Sequence, residues 1–302
     1  MAIQLSTISN PVISRGANEA ARDMAIFYEG GTLYCFYSSV TEDQQRYQWC
    51  LEVAETTDCV NWSPPRRLTT SELNFSSPGN IIRHQNEYVM CVQSYPSKGG
   101  VGCGSEAARL WLMRSKDLVS WDEPKPMRPE GCQANWTESH RQIDPYIVEF
   151  EGRFWCFSKT SGQFGLLVSE DLEAWEEASP DAPALGQSDT PGGAKIENPC
   201  AVRIDTGFAM FFSRCGEPRK IGVAYSENLL HWHDAHLLDF PELSWGPRGV
   251  SAATVLDLRT DLGVWLMAFH GELERVDGAA GLSWGAAIGL AWSKDLEHWS
   301  VP

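Results

Sequence analysis

Apolar residues in this chain come in short runs that alternate with polar positions, and the runs are paired around tight turns. In Met24-Ala-Ile-Phe-Tyr-Glu-Gly-Gly-Thr-Leu-Tyr-Cys-Phe-Tyr37 two such runs flank a Gly-Gly turn, and Pro145-Tyr-Ile-Val-Glu-Phe-Glu-Gly-Arg-Phe-Trp-Cys-Phe157 repeats the arrangement. Enrichment in β-branched and aromatic residues on both sides of a short Gly turn predicts β-hairpins. Helical periodicity is essentially absent, so the pattern predicts an all-β chain.

Each hairpin leads into a second, shorter phrase. Its five copies are Ala54-Glu-Thr-Thr-Asp-Cys-Val-Asn-Trp62, Arg114-Ser-Lys-Asp-Leu-Val-Ser-Trp121, Val168-Ser-Glu-Asp-Leu-Glu-Ala-Trp175, Ala224-Tyr-Ser-Glu-Asn-Leu-Leu-His-Trp232 and Ala291-Trp-Ser-Lys-Asp-Leu-Glu-His-Trp299. Ser and Asp close a turn on their own backbone, while Leu and Trp fold back to anchor it. Five copies in 302 residues leave one four-stranded sheet per copy. The expected fold is a single five-bladed β-propeller of four-stranded antiparallel blades spanning residues 1–302. The last phrase stops three residues before the end of the sequence, so the fifth blade is expected to lack its outer strand, with Asn10-Pro-Val-Ile-Ser14 completing it and hiding the open edge.

Charge and composition narrow the function. A formal charge of -16, from 40 acidic against 24 basic residues, repels phosphate backbones and anionic lipid, which argues against nucleic-acid and membrane partners. Thirteen Trp residues offer flat apolar faces suited to a neutral sugar. Nine Cys without a Cys-x-x-Cys pair read as reduced, buried thiols, Cys35, Cys91, Cys156 and Cys200 among them. With no basic, then apolar, leader, a cytoplasmic location is expected, at which the sequons at Asn61, Asn74 and Asn135 would stay unmodified. The Gly99–Gly104 and Pro191–Gly193 stretches lack the Lys-Ser/Thr of a phosphate loop and read as links between blades, and no Gly-x-Ser-x-Gly elbow occurs. His231, His233 and His236 fall within the fourth turn phrase and read as surface residues. No metal and no cofactor are expected.

Candidate chemistry sits where the first strands begin, because in a propeller these line the central channel. The corresponding segments are Ala21-Arg22-Asp23, Gly79-Asn80, Ile143-Asp144-Pro145, Ile196-Glu197-Asn198-Pro199 and Arg248-Gly-Val-Ser251. Three of the five carry a carboxylate just before an apolar strand. Carboxylates gathered near one axis repel and raise at least one pKa, and glycosidic cleavage uses such a pair, one protonated and one ionised.

These motifs resemble glycoside hydrolase family 43, within a wider group that includes the fructan- and sucrose-cleaving families. The resemblance implies Asp23 as general base, Glu197 as general acid and Asp144 as the pKa modulator of an inverting hydrolase acting on pentose-containing (arabino- or xylo-) oligosaccharides. Asp23-Met24 stands where that family usually has Asp-Pro, and Glu197-Asn198-Pro199 where it has Glu-Gly-Pro. The blade-five channel position, usually His, offers Arg248 and Ser251, with His270 on the following strand. Alternatives on the same fold are a fructofuranosidase, a glycoside phosphorylase, for which Arg22, Arg141 and Arg248 are the candidate anion ligands, and a non-catalytic carbohydrate-binding propeller. Expected substrate-binding residues are Arg22, Phe75, Asn80, Trp136, Trp245 and Arg248, the aromatics as sugar platforms and the polar groups as hydroxyl partners.

Overall fold

The structure, a computed structural model, describes residues 3–16, 19–43, 46–70, 72–96, 105–274 and 285–302. The Gly99–Gly104 stretch lies outside the described residues. Five four-stranded antiparallel sheets are present, each with its strands in chain order. Blade 1 comprises Glu19–Glu29, Thr32–Asp43, Arg46–Thr56 and Arg66–Arg67; blade 2, Ile81–His84, Glu87–Gln93, Leu110–Ser115 and Lys125–Pro126. Blade 3 comprises Ile143–Phe150, Arg153–Thr160, Gln163–Ser169 and Glu176–Glu177; blade 4, Ile196–Ile204, Gly207–Arg214, Lys220–Ser226 and His233–Leu237; blade 5, Val250–Leu258, Val264–Glu272, Ala286–Ser293 and Trp299–Ser300. The one α-helical turn among the described residues is Arg259–Leu262. The first strands contact the neighbouring blades in the order 1-2-3-4-5-1, which closes the ring.

The local chemistry behind the blades is as the hairpin pattern requires. Glu29 pairs with Thr32 across Gly30 and Gly31, both at positive φ (58° and 86°), the backbone that glycine adopts without strain in a two-residue hairpin turn. The core is the set of faces between adjacent blades. Phe157, Phe164, Phe208, Phe211, Phe212 and Phe269 are all fully buried, and edge-on aromatic pairs such as Phe150 with Phe208 (5.1 Å) bridge blade 3 to blade 4. The eight described cysteines are free, seven of them buried.

The repeated phrase forms the same outer turn five times. In blade 3, Ser169 Oγ accepts the N–H groups of Asp171 (3.2 Å) and Leu172 (2.9 Å), and Asp171 Oδ1 accepts those of Glu173 and Ala174. Leu172 takes a left-handed backbone (φ 66°) and Trp175 Nε1 donates to its carbonyl at 3.3 Å. Leu118, Leu229 and Leu296 repeat this, with φ of 62°, 66° and 69°; in blade 1, Cys59 (φ 60°) takes the Leu place.

Blade 5 corrects one expectation. It has an outer strand of its own, because Trp299–Ser300 pairs with Ser293 and Trp292. The N-terminal segment then covers the rest of the same edge: Ile13 pairs with Ile288, and the Asn10 amide exchanges two 2.8 Å hydrogen bonds with the backbone of Leu290. An outer strand needs only two residues in most blades, so the end of the fifth phrase is long enough to form one.

Candidate active site

Each blade places one left-handed residue in its first strand or shortly before it: Asp23 (φ 45°), Ser77 (42°), Asp144 (52°), Asn198 (55°) and Ala252 (53°). In four blades the pairing with the second strand shifts register there, between Arg22 and Met24, Phe157 and Lys159, Glu197 and Cys200, and Ser251 and Thr254. A bulge inserts one residue and re-aims its neighbours, and a left-handed backbone outside glycine is a local strain found at functional sites. The five residues and their successors surround an axial channel of about 20 Å³, enough for roughly one water.

The N–H groups of four of the five left-handed residues are held by a side chain from the second strand of the preceding blade. Asp23 donates to His270 Nδ1 (3.1 Å), Ser77 to Ser38 Oγ (2.7 Å), Asp144 to Gln93 Oε1 (2.7 Å) and Ala252 to Ser213 Oγ (2.7 Å). Each acceptor faces the residue before its own blade's bulge: Ser38 opposite Arg22, Gln93 opposite Ser76, Ser213 opposite Glu197, His270 opposite Ser251. In blade 3 that register position is Lys159, opposite Ile143, and an ammonium donates but cannot accept. The Asn198 N–H goes instead to Asp144 Oδ2 (3.3 Å), and Lys159 Nζ reaches Glu197 Oε2 at 2.6 Å.

Above the ring lies a cavity of about 250 Å³ that shares Asp23, Ser77, Asp144 and Asn198 with the channel and adds Glu197, Lys159, Arg22 and Arg219 to its wall. Asp23, Asp144 and Glu197 therefore meet in one site, delivered by three blades. Asn198 touches two of them, through its N–H to Asp144 and its Nδ2 to Asp23 Oδ1 (3.4 Å). Their electrostatic settings differ. Burial raises the Asp144 carboxyl to about 6, with Glu197 and Asp23 adding to the shift against Lys159. Burial pushes Glu197 the same way, but Lys159 and Arg219, both hydrogen-bonded to it, overcome that and hold it at about 2. Burial also opposes ionisation of Glu272, yet Arg22 and His270 hold it well below the usual carboxylate range.

Beneath Asp23 runs a fully internal relay. Since His270 Nδ1 accepts the Asp23 N–H, its Nε2 is the protonated nitrogen, placed 2.6 Å from Ser251 Oγ, which in turn donates to Glu272 Oε1 at 3.0 Å. His270 is completely buried and does not line the cavity.

Arg22 and Arg248 line the cavity, Arg22 paired with Asp23 (3.3 Å) and Glu272 (3.6 Å), Arg248 with Glu217. The other four expected sugar-binding residues pack elsewhere. Phe75 is buried edge-on against Trp111 (5.2 Å). The Asn80 amide bonds the backbone of Ile147 in both directions, tying blade 2 to blade 3. Trp136 donates to the Ser179 carbonyl and lies against Gly165. Trp245 stacks on Phe269 at 5.8 Å, over Gly271 and Gly289, where a Cβ would come within 2.8 Å of its ring. The aromatics that do line the cavity are Trp49 and Tyr95, ring centroids 5.6 Å apart. Neither was expected, nor were Lys159 and Arg219, which sit at second- and third-strand ends that no motif marks. His233 and His236 pair on the surface with acidic neighbours, including Glu227 and Glu297.

The chain matches no family model and no curated protein. Solved structures do resemble it. A glycosyl hydrolase from Bacteroides ovatus superposes with a TM-score of 0.69 at 13% identity, over 98% of this chain and 94% of that one. An exo-1,5-α-L-arabinanase from a bovine ruminal metagenomic library gives 0.66 at 15% identity, over 95% and 98%. A thermostable family-43 glycoside hydrolase gives 0.64 at 18% identity, over 98% and 96%. At these identities the likeness is one of fold: this is the five-bladed propeller on which those enzymes are built.

Proposed function

We propose that this protein is a glycoside hydrolase whose reaction is carried by Asp23, Asp144 and Glu197. The observation behind the proposal is a pair of carboxyls in one cavity pushed in opposite directions, Asp144 up to about 6 and Glu197 down to about 2. Two carboxyls so separated supply a proton for the leaving oxygen and a fixed negative charge beside the developing oxocarbenium ion, while Asp23 in the same cavity faces the attacking water.

The electrostatics favour exchanging two of the roles that the family 43 resemblance implies. A carboxyl clamped between an ammonium and a guanidinium holds no proton near neutrality, so Glu197 is the ionised orienter, and Asp144 donates the proton. Asp23, fixed through its backbone by His270 and through its side chain by Asn198, remains the base that activates water, which makes the reaction inverting. The arabinanase among the similar folds favours arabino- or xylo-oligosaccharides as the first substrates to test.

The test is release of the phenol from aryl arabinofuranosides, xylosides, galactosides and fructosides by wild type, Asp23→Ala, Asp144→Asn and Glu197→Gln. Activity on one glycoside that falls at least about a hundredfold in Asp23→Ala and Asp144→Asn is expected. Dinitrophenyl leaving groups depart without a proton, so Asp144→Asn should regain activity on them and Glu197→Gln should not. Rescue of Glu197→Gln instead would return the acid role to Glu197, and silence of the wild type on every glycoside would count against hydrolysis.

A further inference from the structure

The wall of the axial cavity carries five basic side chains, Arg22, Arg141, Lys159, Arg219 and Arg248, and five acidic ones. A neutral sugar gains little from cations, since its hydroxyls are served as well by amides and carboxylates. Four of the cations are explained by carboxylates beside them: Arg22 by Asp23 and Glu272, Lys159 and Arg219 by Glu197, Arg248 by Glu217.

Arg141 is not explained in this way. It precedes the first strand of blade 3, three positions before Asp144, and no carboxylate among the described residues lies within 4.0 Å of it. Its guanidinium stands 5.6 Å from the centre of the Tyr95 ring and donates from Nη2 to the Tyr95 hydroxyl at 3.2 Å. Its Nε is buried and has no hydrogen-bond partner. A buried donor is normally satisfied, so the hydrogen bonds of this guanidinium within the protein are incomplete. The two Nη groups of a guanidinium form a fork that matches a carboxylate or phosphate edge with two parallel hydrogen bonds.

We propose that Arg141 is the anchor of an oxyanion subsite in the axial cavity, beside the bond to be cleaved, which takes either the carboxylate of an acidic sugar within the oligosaccharide or inorganic phosphate. This deepens the glycosidase reading and rests on it for the word substrate. The raised titration of Asp144 works in the same direction, since near pH 6 and below it removes one negative charge from the wall. If phosphate is the occupant, its oxygen bonds the anomeric carbon as the glycosidic C–O bond breaks, the departing oxygen takes the proton of the acid carboxyl, and the phosphate proton restores that carboxyl.

The experiment is calorimetric binding, without turnover, of methyl glucuronide, methyl glucoside and inorganic phosphate to wild type, Arg141→Gln and Arg141→Lys, with circular dichroism to confirm folding. At least one anion should bind wild type tenfold or more tighter than methyl glucoside and weaken with added salt. Arg141→Gln should lose at least tenfold of that affinity, and Arg141→Lys, which keeps the charge but not the fork, should lie between. Glucuronide binding without phosphate binding identifies the sugar carboxylate; phosphate binding accompanied by sugar 1-phosphate formation identifies free phosphate. Equal affinity for charged and neutral ligands in the wild type, or an unchanged anion affinity in Arg141→Gln, overturns the inference. Arg141-dependent anion binding in a protein that cleaves no glycoside would sink the glycosidase reading alone, whereas cleavage of neutral glycosides untouched by Arg141→Gln would sink only the subsite.

Discussion

The outer rim and the inner ring of this propeller are built from the same five-fold repeat, and they have treated it in opposite ways. At the rim, four of the five turns share the same Ser, the same left-handed Leu and the same Trp-to-carbonyl hydrogen bond. At the axis the backbone is equally regular, left-handed in all five blades, but the side chains at that position are Asp, Ser, Asp, Asn and Ala. The rim needs one solution to one problem, plugging a blade edge. The ring uses a common backbone to present different chemistry from each blade, and the largest departure, Lys159 where the other blades have a hydrogen-bond acceptor, sets the charge of Glu197.

Substitutions that separate rim from ring should therefore separate stability from activity. The largest effect is expected at Asp144. Asp144→Asn should lower turnover by about 10²–10⁴-fold while making the fold more stable. The folded carboxyl titrates at about 6, above the ordinary 3.8, so the folded state keeps a proton that the unfolded chain releases. Wild-type stability accordingly falls as pH rises from about 4 to about 6, by up to about 3 kcal/mol. Denaturant unfolding from pH 4 to 7 should show that fall in wild type and a smaller one in Asp144→Asn; an asparagine variant no more stable than wild type at pH 7 would break the comparison. Glu197 has the opposite sign, its contribution being present above 4.5 and lost as pH falls toward 2.

At the rim, Leu172→Ala should cost about 2–4 kcal/mol, because Leu172 is buried beside Phe154 and Trp175 in the blade 2–3 core, with turnover per folded molecule unchanged. A smaller loss, about 1–3 kcal/mol, is expected for Ser213→Ala, which leaves the buried Ala252 N–H without an acceptor. Because Ser213 also holds the Asn198 amide (3.0 Å), that variant should lose turnover several-fold too, as a ring residue would and a rim residue would not. The smallest change should come from Ser169→Ala, about 1 kcal/mol for two turn hydrogen bonds, with kinetics indistinguishable from wild type.

The same contrast explains what could be read from the sequence. The rim was legible because its hydrogen bonds join residues two or three apart, so a spacing within one phrase encodes the whole turn. The three carboxylates were legible because each precedes an apolar strand. Their register was not. Linear alignment sets Glu197 and Ser251 beside Asp23 and Asp144, whereas the structure sets Asn198 and Ala252 there, since a bulge shifts pairing by one residue and leaves no mark in composition; in blade 2 it sets Ser77 there, three residues before the expected Asn80. Glu197 thus occupies the place of Arg22 and Ser251, not that of Asp23. The aromatic residues misled for a related reason. Whether a Trp meets the cavity, as Trp49 does, or a neighbouring blade, as Trp245 does, depends on its depth along the blade and on the glycines facing it.

The clasp between Asn10 and Leu290 sets a schedule. Its two hydrogen bonds join residues 280 positions apart, and at a synthesis rate of about 5–20 residues per second the second partner leaves the ribosome on the order of tens of seconds after the first. Through that interval residues 10 to 13 wait without their strand while four blades assemble. Once Ala286–Ser293 emerges, its free edge is open to any passing β-strand until residues 10 to 13 reach it. A nascent chain therefore meets its greatest hazard of mispairing as the fifth blade emerges, and a chaperone that shields that edge would be most useful over that blade.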